Sequence, residues 1–138
     1  MTAAYVLEDN IGFVLRQVTQ RHVSLFAGLM PDQLTPTQFS ALVKLRQHGP
    51  VPQTQLGRMT AMDAATIKGV VDRLVKRGLV QVDRDPLDAR LIIASLTTAG
   101  QDLADRSVSP ARAVTEATLT PLSSGDRRTL LALLRRLT

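Results

Sequence analysis

The chain has no cysteine, which excludes a disulfide framework and any thiolate metal site. Its two histidines, His22 and His48, are too few to hold zinc without other ligands. Apolar runs are only a few residues long, far short of the roughly 20 that a membrane-spanning helix needs. Residues 1–10 carry Glu8 and Asp9 and lack a basic start followed by an apolar stretch. No secretory signal is expected, and the cytoplasm is the expected compartment. There is no internal repeat and no low-complexity tract. Nor is there a phosphate-cradling glycine loop, a serine–histidine–carboxylate spacing or a metal-ligand cluster. Neither an enzyme nor a cofactor is therefore expected.

At 138 residues the chain is one domain in length, enough to bury a core. Hydrophobic residues make up 44% and charged residues 21%, a balance that suits a folded protein rather than a disordered one. The formal net charge of +5 favours a polyanionic partner such as nucleic acid. The excess is thinly spread. Residues 1–57 hold four Lys/Arg against three Asp/Glu, residues 58–90 seven against five, and residues 91–138 six against four. No segment is a basic tail, so a DNA-binding face has to be gathered by folding.

The periodicity predicts helices first, a hairpin late, then helices again. Over 5–29, Leu7, Ile11, Val14, Val18, Leu25 and Leu29 fall at helical spacing, and Pro31 ends the segment. Thr35, Pro36 and Gln38 form an N-cap, a proline at the first helical position and a capping box. They start a helix over 37–47, which Gly49 and Pro50 stop. Pro52 opens a short polar helix over 53–59. After a turn at 60–62, Asp63 caps a helix over 64–77 with Ile67, Val70, Val71, Leu74 and Val75 as its buried face. Gly78 terminates it. Two short helices joined by a tight turn make a helix-turn-helix.

The period then changes to that of strands. Leu79, Val80 and Val82 read as one strand, 91–96 as a second, and the charged stretch 83–89 with Pro86 as the tip between them. Thr97 or Thr98 caps a helix to about residue 117, which Pro110 is expected to kink or split. Ser123, with Asp126 three residues on, caps a last helix whose leucine face is Leu130, Leu131, Leu133, Leu134 and Leu137. A helix-turn-helix followed by a charged hairpin has a physical logic. The second helix fits the major groove, where each base pair shows a distinct pattern. The hairpin tip beside it can place an arginine in the concentrated negative potential of the minor groove. Arg84 and Arg90 flank this tip, with Asp85 and Asp88 between them. Carboxylates near phosphates are unfavourable unless they hold a cation. Asp88 is therefore expected to fix Arg90 or Arg73.

The run 78–90, with Asp88-Ala89-Arg90 at its tip, resembles the wing of MarR-type transcription regulators, whose hallmark there is an Asp-any-Arg triplet. The blocks 71–78 and 94–100 resemble the same family and stand in register with the triplet. The resemblance covers nearly the whole chain. It implies a mainly α fold with a small β-hairpin wing: a winged helix-turn-helix over about 36–97, flanked by dimerisation helices over about 5–30 and 98–138. It also implies a homodimer on a palindromic operator in double-stranded DNA. By position, Arg90 would enter the minor groove, Asp88 would orient it and Arg73 would support Asp88. Ala64, Thr66 and Lys68 would read base edges or phosphates, and Thr54, Gln55 and Arg58 would contact phosphates. Arg84 is a further candidate contact at the hairpin tip. Gly69 departs from the pattern, standing where the family often has arginine, and lowers helix propensity by about 1 kcal/mol relative to alanine.

MarR-like regulators often bind small aromatic or phenolic acids in a cleft lined by the first, second and fifth helices. Arg16, Thr19, His22 and Phe39 are the candidate contacts, since a carboxylate or ring nitrogen wants a cation or imidazole and Phe39 could stack. His22 can also be read as a satisfied histidine on the apolar stripe. Lacking cysteine, the chain cannot be one of the family's thiol-based peroxide sensors. The resulting expectation is a repressor released by an aromatic acid. The alternative is an effector-independent architectural or protein-binding winged-helix module.

Overall fold

Asn10, rather than the start of the apolar stripe, begins the first helix in the computed structural model, which describes residues 2–138. Its Oδ1 accepts the Phe13 N–H at 2.9 Å and so caps α1 (Ile11–Leu29). The helix therefore does not reach back to Tyr5, and Leu7–Asp9 forms a single 3-10 turn instead. The apolar spacing misleads here because a side-chain cap satisfies an otherwise orphaned N–H and ends the helix locally.

The remaining starts follow their caps. Thr35 accepts from the Gln38 N–H at 3.3 Å and Gln38 answers from its side chain, opening α2 (Pro36–His48). A two-residue strand β1 (Val51–Pro52) leads into α3 (Gln53–Met59). Asp63 accepts from Thr66 N at 2.7 Å and caps α4 (Ala64–Lys76). This helix closes in a Schellman motif: Gly78, at φ +73°, donates to Val75 O, and Leu79 donates to Leu74 O. Such a turn needs the left-handed conformation that glycine adopts without strain. The chain continues through β2 (Val80–Arg84), β3 (Ile92–Leu96), α5 (Thr98–Leu119) and α6 (Ser124–Arg135). Thr97 caps α5 through its Oγ1, which accepts from Gly100 N at 3.0 Å. Ser123 caps α6.

Three departures from the sequence reading have physical reasons. Pro110 lies inside an unbroken α5; the lost backbone donor is carried by two or more helical turns on either side. Val75 is 37% exposed and does not share the buried face of Ile67, Val70, Val71 and Leu74, because it lies about 100° further round the helix from Leu74. β1 was not foreseen. It pairs antiparallel with β3, Val51 opposite Ala94, making a three-stranded sheet in the order β1-β3-β2. A two-residue strand containing proline has no periodicity to read, and its place at the sheet edge is where proline is tolerated.

By backbone contacts the chain forms two units, residues 30–110 and residues 1–29 with 111–138. The first half of α5 thus lies in the same unit as the helix-turn-helix and the sheet. Leu42, Leu56, Ile67, Leu74 and Leu103 are fully buried in this unit. A Cβ on Gly57 would lie 3.0 Å from both Ile67 Cγ2 and Met62 O, so α3 and α4 cross in close contact.

The segment between α1 and α2 is strained. Asp32 and Gln33 both have positive φ, at 57° and 53°, a conformation that costs a non-glycine residue roughly 1–2 kcal/mol. Arginines hold it: Arg77 donates to the Asp32 carbonyl and, at 2.9 Å, to Gln38 Oε1, while Arg106 pairs with the Asp32 carboxylate at 3.3 Å. Gln33→Gly should relieve part of this strain and raise stability by about 0.5–1 kcal/mol, read as a shift of the urea midpoint at unchanged m-value.

In the other unit, Arg21 donates to the carbonyls of Thr118 and Ala117 at 2.7 and 2.9 Å, the favourable place for a cation at a helix C-terminus. Among the described residues, no helix is long and apolar enough to cross a membrane.

Candidate nucleic-acid interface

The outward side of α4 is set by its apolar stripe. With Ile67, Val70, Val71 and Leu74 buried, Ala64, Thr66, Lys68, Asp72 and Arg73 are exposed. Lys68 Nζ lies 2.9 Å from Asp72 Oδ2, one turn on; both are exposed, so the pair is easily exchanged for another partner. Arg73 does not support Asp88. Its guanidinium folds back along its own helix over Gly69, where a Cβ would lie 3.3 Å from Nη1. On α3, Thr54 and Arg58 are exposed and Gln55 is half-buried.

The wing is built by the β2–β3 hairpin, with Arg84 paired to Ile92 at the end that meets the tip loop. Beyond it, Asp88 grips Arg90 three times: Oδ1 accepts from Nε at 3.0 Å and from the Arg90 backbone N–H at 3.1 Å, and Oδ2 accepts from Nη2 at 3.0 Å. The planar guanidinium matches the carboxylate in this two-point geometry. The Arg90 side chain is nonetheless 90% exposed, so its orientation is set while its remaining N–H groups face solvent. The Arg90 side chain, and then its backbone N–H, hold the Asp88 carboxyl below the usual carboxylate range. Arg90 is raised in turn by Asp88. The sequence's choice between Arg90 and Arg73 as partner of Asp88 is thus resolved for Arg90.

Arg84 is also at the tip, but its Nη1 donates to the Ala89 carbonyl at 2.8 Å. Asp85, not among the residues singled out from the sequence as contacts, accepts the Leu87 and Asp88 N–H groups at 2.7 and 3.1 Å. The Asp-Pro dipeptide was the available signal, since Asp before proline favours a side-chain-capped turn.

The candidate ligand contacts fall in both units and are described unit by unit. Thr19 and His22 line a cavity of about 380 Å³ within the unit of residues 1–29 and 111–138, with Thr115, Thr118 and several leucines. Arg16 is exposed on the same helix and is not in its lining. Phe39 lines a separate groove in the other unit, beside Lys44 and Arg58. His22 is half-buried, with Nδ1 2.8 Å from Thr118 Oγ1. The Thr118 hydroxyl gives its single proton to Val114 O at 2.8 Å. With that proton directed to Val114, Thr118 Oγ1 is left to accept from Nδ1 in the tautomer that carries its proton there, in which Nε2 is an acceptor.

The MarR family profile matches residues 34–92, from the approach to α2 to the start of β3. The HTH-type transcriptional repressor NicR of Pseudomonas putida is 42% identical over 134 residues, 96% of this chain and 85% of that protein. The chain belongs to the MarR family. A crystal structure of a probable transcriptional regulator from Pseudomonas aeruginosa, 52% identical, matches this MarR-family chain with a TM-score of 0.93 over 96% of it and 100% of the other. BpsR of Bordetella bronchiseptica, whose DNA binding is regulated by 6-hydroxynicotinic acid, is 34% identical with a TM-score of 0.91, covering 98% of this chain and 97% of BpsR. The winged helix-turn-helix and its flanking helices are therefore those of a MarR-type regulator.

Proposed function

We propose that this chain is a cytoplasmic transcriptional repressor that binds a palindromic operator as a homodimer and leaves it when a small aromatic acid binds. The observation that carries the reading is the exposed Arg90 fixed by Asp88 at the tip of a wing that follows a capped, outward-facing α4. Arg90 enters the minor groove, and Ala64, Thr66 and Lys68 meet base edges or phosphates in the major groove. Thr54, Gln55 and Arg58 contact phosphates, and Arg73, freed from Asp88, reaches the DNA backbone. A homodimer also answers a problem of burial. Ile11, Val18, Leu133 and Leu137 are 62%, 50%, 51% and 72% exposed on α1 and around α6, an apolar surface that a second copy would cover.

The effector class rests on the relatives and on His22. NicR is a repressor, and BpsR responds to 6-hydroxynicotinic acid. The cavity at Thr19 and His22 offers an imidazole acceptor on apolar walls, with Arg16 on the same helix to attract a carboxylate. His22→Ala is expected to leave operator affinity unchanged and to raise the 6-hydroxynicotinic acid concentration needed for release by about tenfold, as loss of one polar contact would. Loss of folding would instead mark His22 as purely a packing residue. The decisive experiment compares binding to DNA upstream of the protein's own gene with binding to unrelated DNA, across salt concentrations and with a panel of aromatic acids. Specific binding relieved by one compound supports the repressor. Equal, weak binding to both DNAs would leave an architectural or protein-binding module in its place.

A further inference from the structure

The wing loop carries more internal bonding than a contact loop needs. Asp85 N donates to Leu91 O, and Leu91 N donates to Asp88 O, both at 3.0 Å. Asp85 Oδ1 takes the N–H groups of Leu87 and Asp88. Pro86 restricts the backbone between them. From the last residue of β2, Arg84 Nη1 reaches across to the carbonyl of Ala89, the centre of the Asp88-Ala89-Arg90 triplet. The backbone of Asp88 is thus pinned from one side and that of Ala89 from the other.

Two charge problems find one answer in this arrangement. A carboxylate at Asp85 opposes a polyanion, so a purely electrostatic wing would not carry it. Its Oδ1 is occupied with two backbone donors, the work of a turn-forming residue. Conversely, a cation at Arg84 suits a phosphate, yet this guanidinium already serves the wing's own carbonyl. A loop frozen before association loses less freedom on binding, and only a fixed Asp88 can hold Arg90 in one orientation.

We propose that Arg84 and Asp85 are positioning residues of the wing: together they hold the triplet so that Arg90 is presented to the groove, and Arg84 itself neutralises no phosphate. This rests on the DNA-binding reading and reassigns Arg84 within it.

The salt dependence of binding separates positioning from contact. Each phosphate neutralised contributes about 0.9 to the slope of log K against log salt. For the full-length protein, Arg84→Met is expected to weaken operator binding about three- to tenfold at every salt concentration with the slope unchanged. It should add nothing further on top of Arg90→Ala. Asp85→Ala is expected to weaken binding although it removes a negative charge, and Asp85→Asn, which keeps an oxygen acceptor, to restore it. A slope reduced by about one per protomer in Arg84→Met, fully additive losses with Arg90→Ala, or tighter binding by Asp85→Ala would each overturn the proposal. Melting temperatures within a degree or two of the parent are expected, since the loop is exposed. If Arg84→Met alone melts early, the Asp85→Ala and Asp85→Asn pair decides. Failure of the unaltered protein to prefer operator DNA would bring down the DNA-binding reading itself.

Discussion

Gly100→Ala is expected to cost about 3 kcal/mol of folding free energy, roughly 10 °C in melting temperature for a chain of this size. Gly100 is buried in the first turn of α5, and a Cβ there would stand 2.0 Å from Leu79 O. No rotamer relieves a clash with a backbone carbonyl. That carbonyl also accepts from Thr97 N at 3.1 Å, while Thr97 Oγ1 donates to Gly78 O at 2.7 Å. Moving α5 away would break the bonds that join the end of the α4 turn to the start of α5. Gly69→Ala is the matched control. Its nearest neighbour is the flexible end of Arg73, so it should stabilise α4 by up to about 1 kcal/mol. Urea unfolding of both variants checks the pair. Equal midpoints would mean that α5 does not dock where these bonds place it.

Arg90→Ala is expected to weaken operator binding about ten- to a hundredfold, in line with the loss of one specific groove contact, while the oligomeric state stays unchanged. Fluorescence anisotropy on labelled operator measures the first and sedimentation the second. Unaltered affinity would remove Arg90 from the interface. The pH dependence carries a sign of its own. Asp88 is depressed in the folded protein by Arg90, so the pairing is complete above the ordinary carboxylate value of 3.8 and is lost only as pH falls through the lower, folded value. The ratio of parent to Arg90→Ala affinity should therefore be the same at pH 5.5 and pH 8. A ratio that changes several-fold across this range would show that another titrating group sets the orientation of Arg90.

The helix starts were legible because their causes are local. Thr35 with Gln38, Asp63, Thr97 and Ser123 each satisfy a backbone N–H within three residues, and a side chain that near in sequence is near in space. Asn10 was legible in the same way but was masked by the apolar residues before it. Asp32, Gln33 and Ala61 adopt positive φ with no glycine to announce it. Their conformations follow from what the neighbouring elements require, and the arginines that hold the first of them come from α5 and the end of α4.

The candidate site divides along the same line. The order of the six helices and the hairpin, the stripe that buries one face of α4 and the presence of an Asp-any-Arg tip all depend on spacing along the chain, and the sequence alone determined them, though not β1. Which carboxylate grips which arginine did not follow from spacing. Arg73 and Arg90 both stood as partners for Asp88; the Arg73 guanidinium lies over Gly69 of its own helix, and the turn at the wing tip folds Arg90, two residues on, onto Asp88. Arg84 read as a contact until the hairpin turned its guanidinium onto Ala89 O. Likewise Thr19 and His22 share a cavity with α5 and α6, while Phe39 lies in a different unit. Caps and stripes are short-range consequences of backbone geometry, whereas the partner of a long charged side chain is decided by whatever the tertiary fold leaves within its reach.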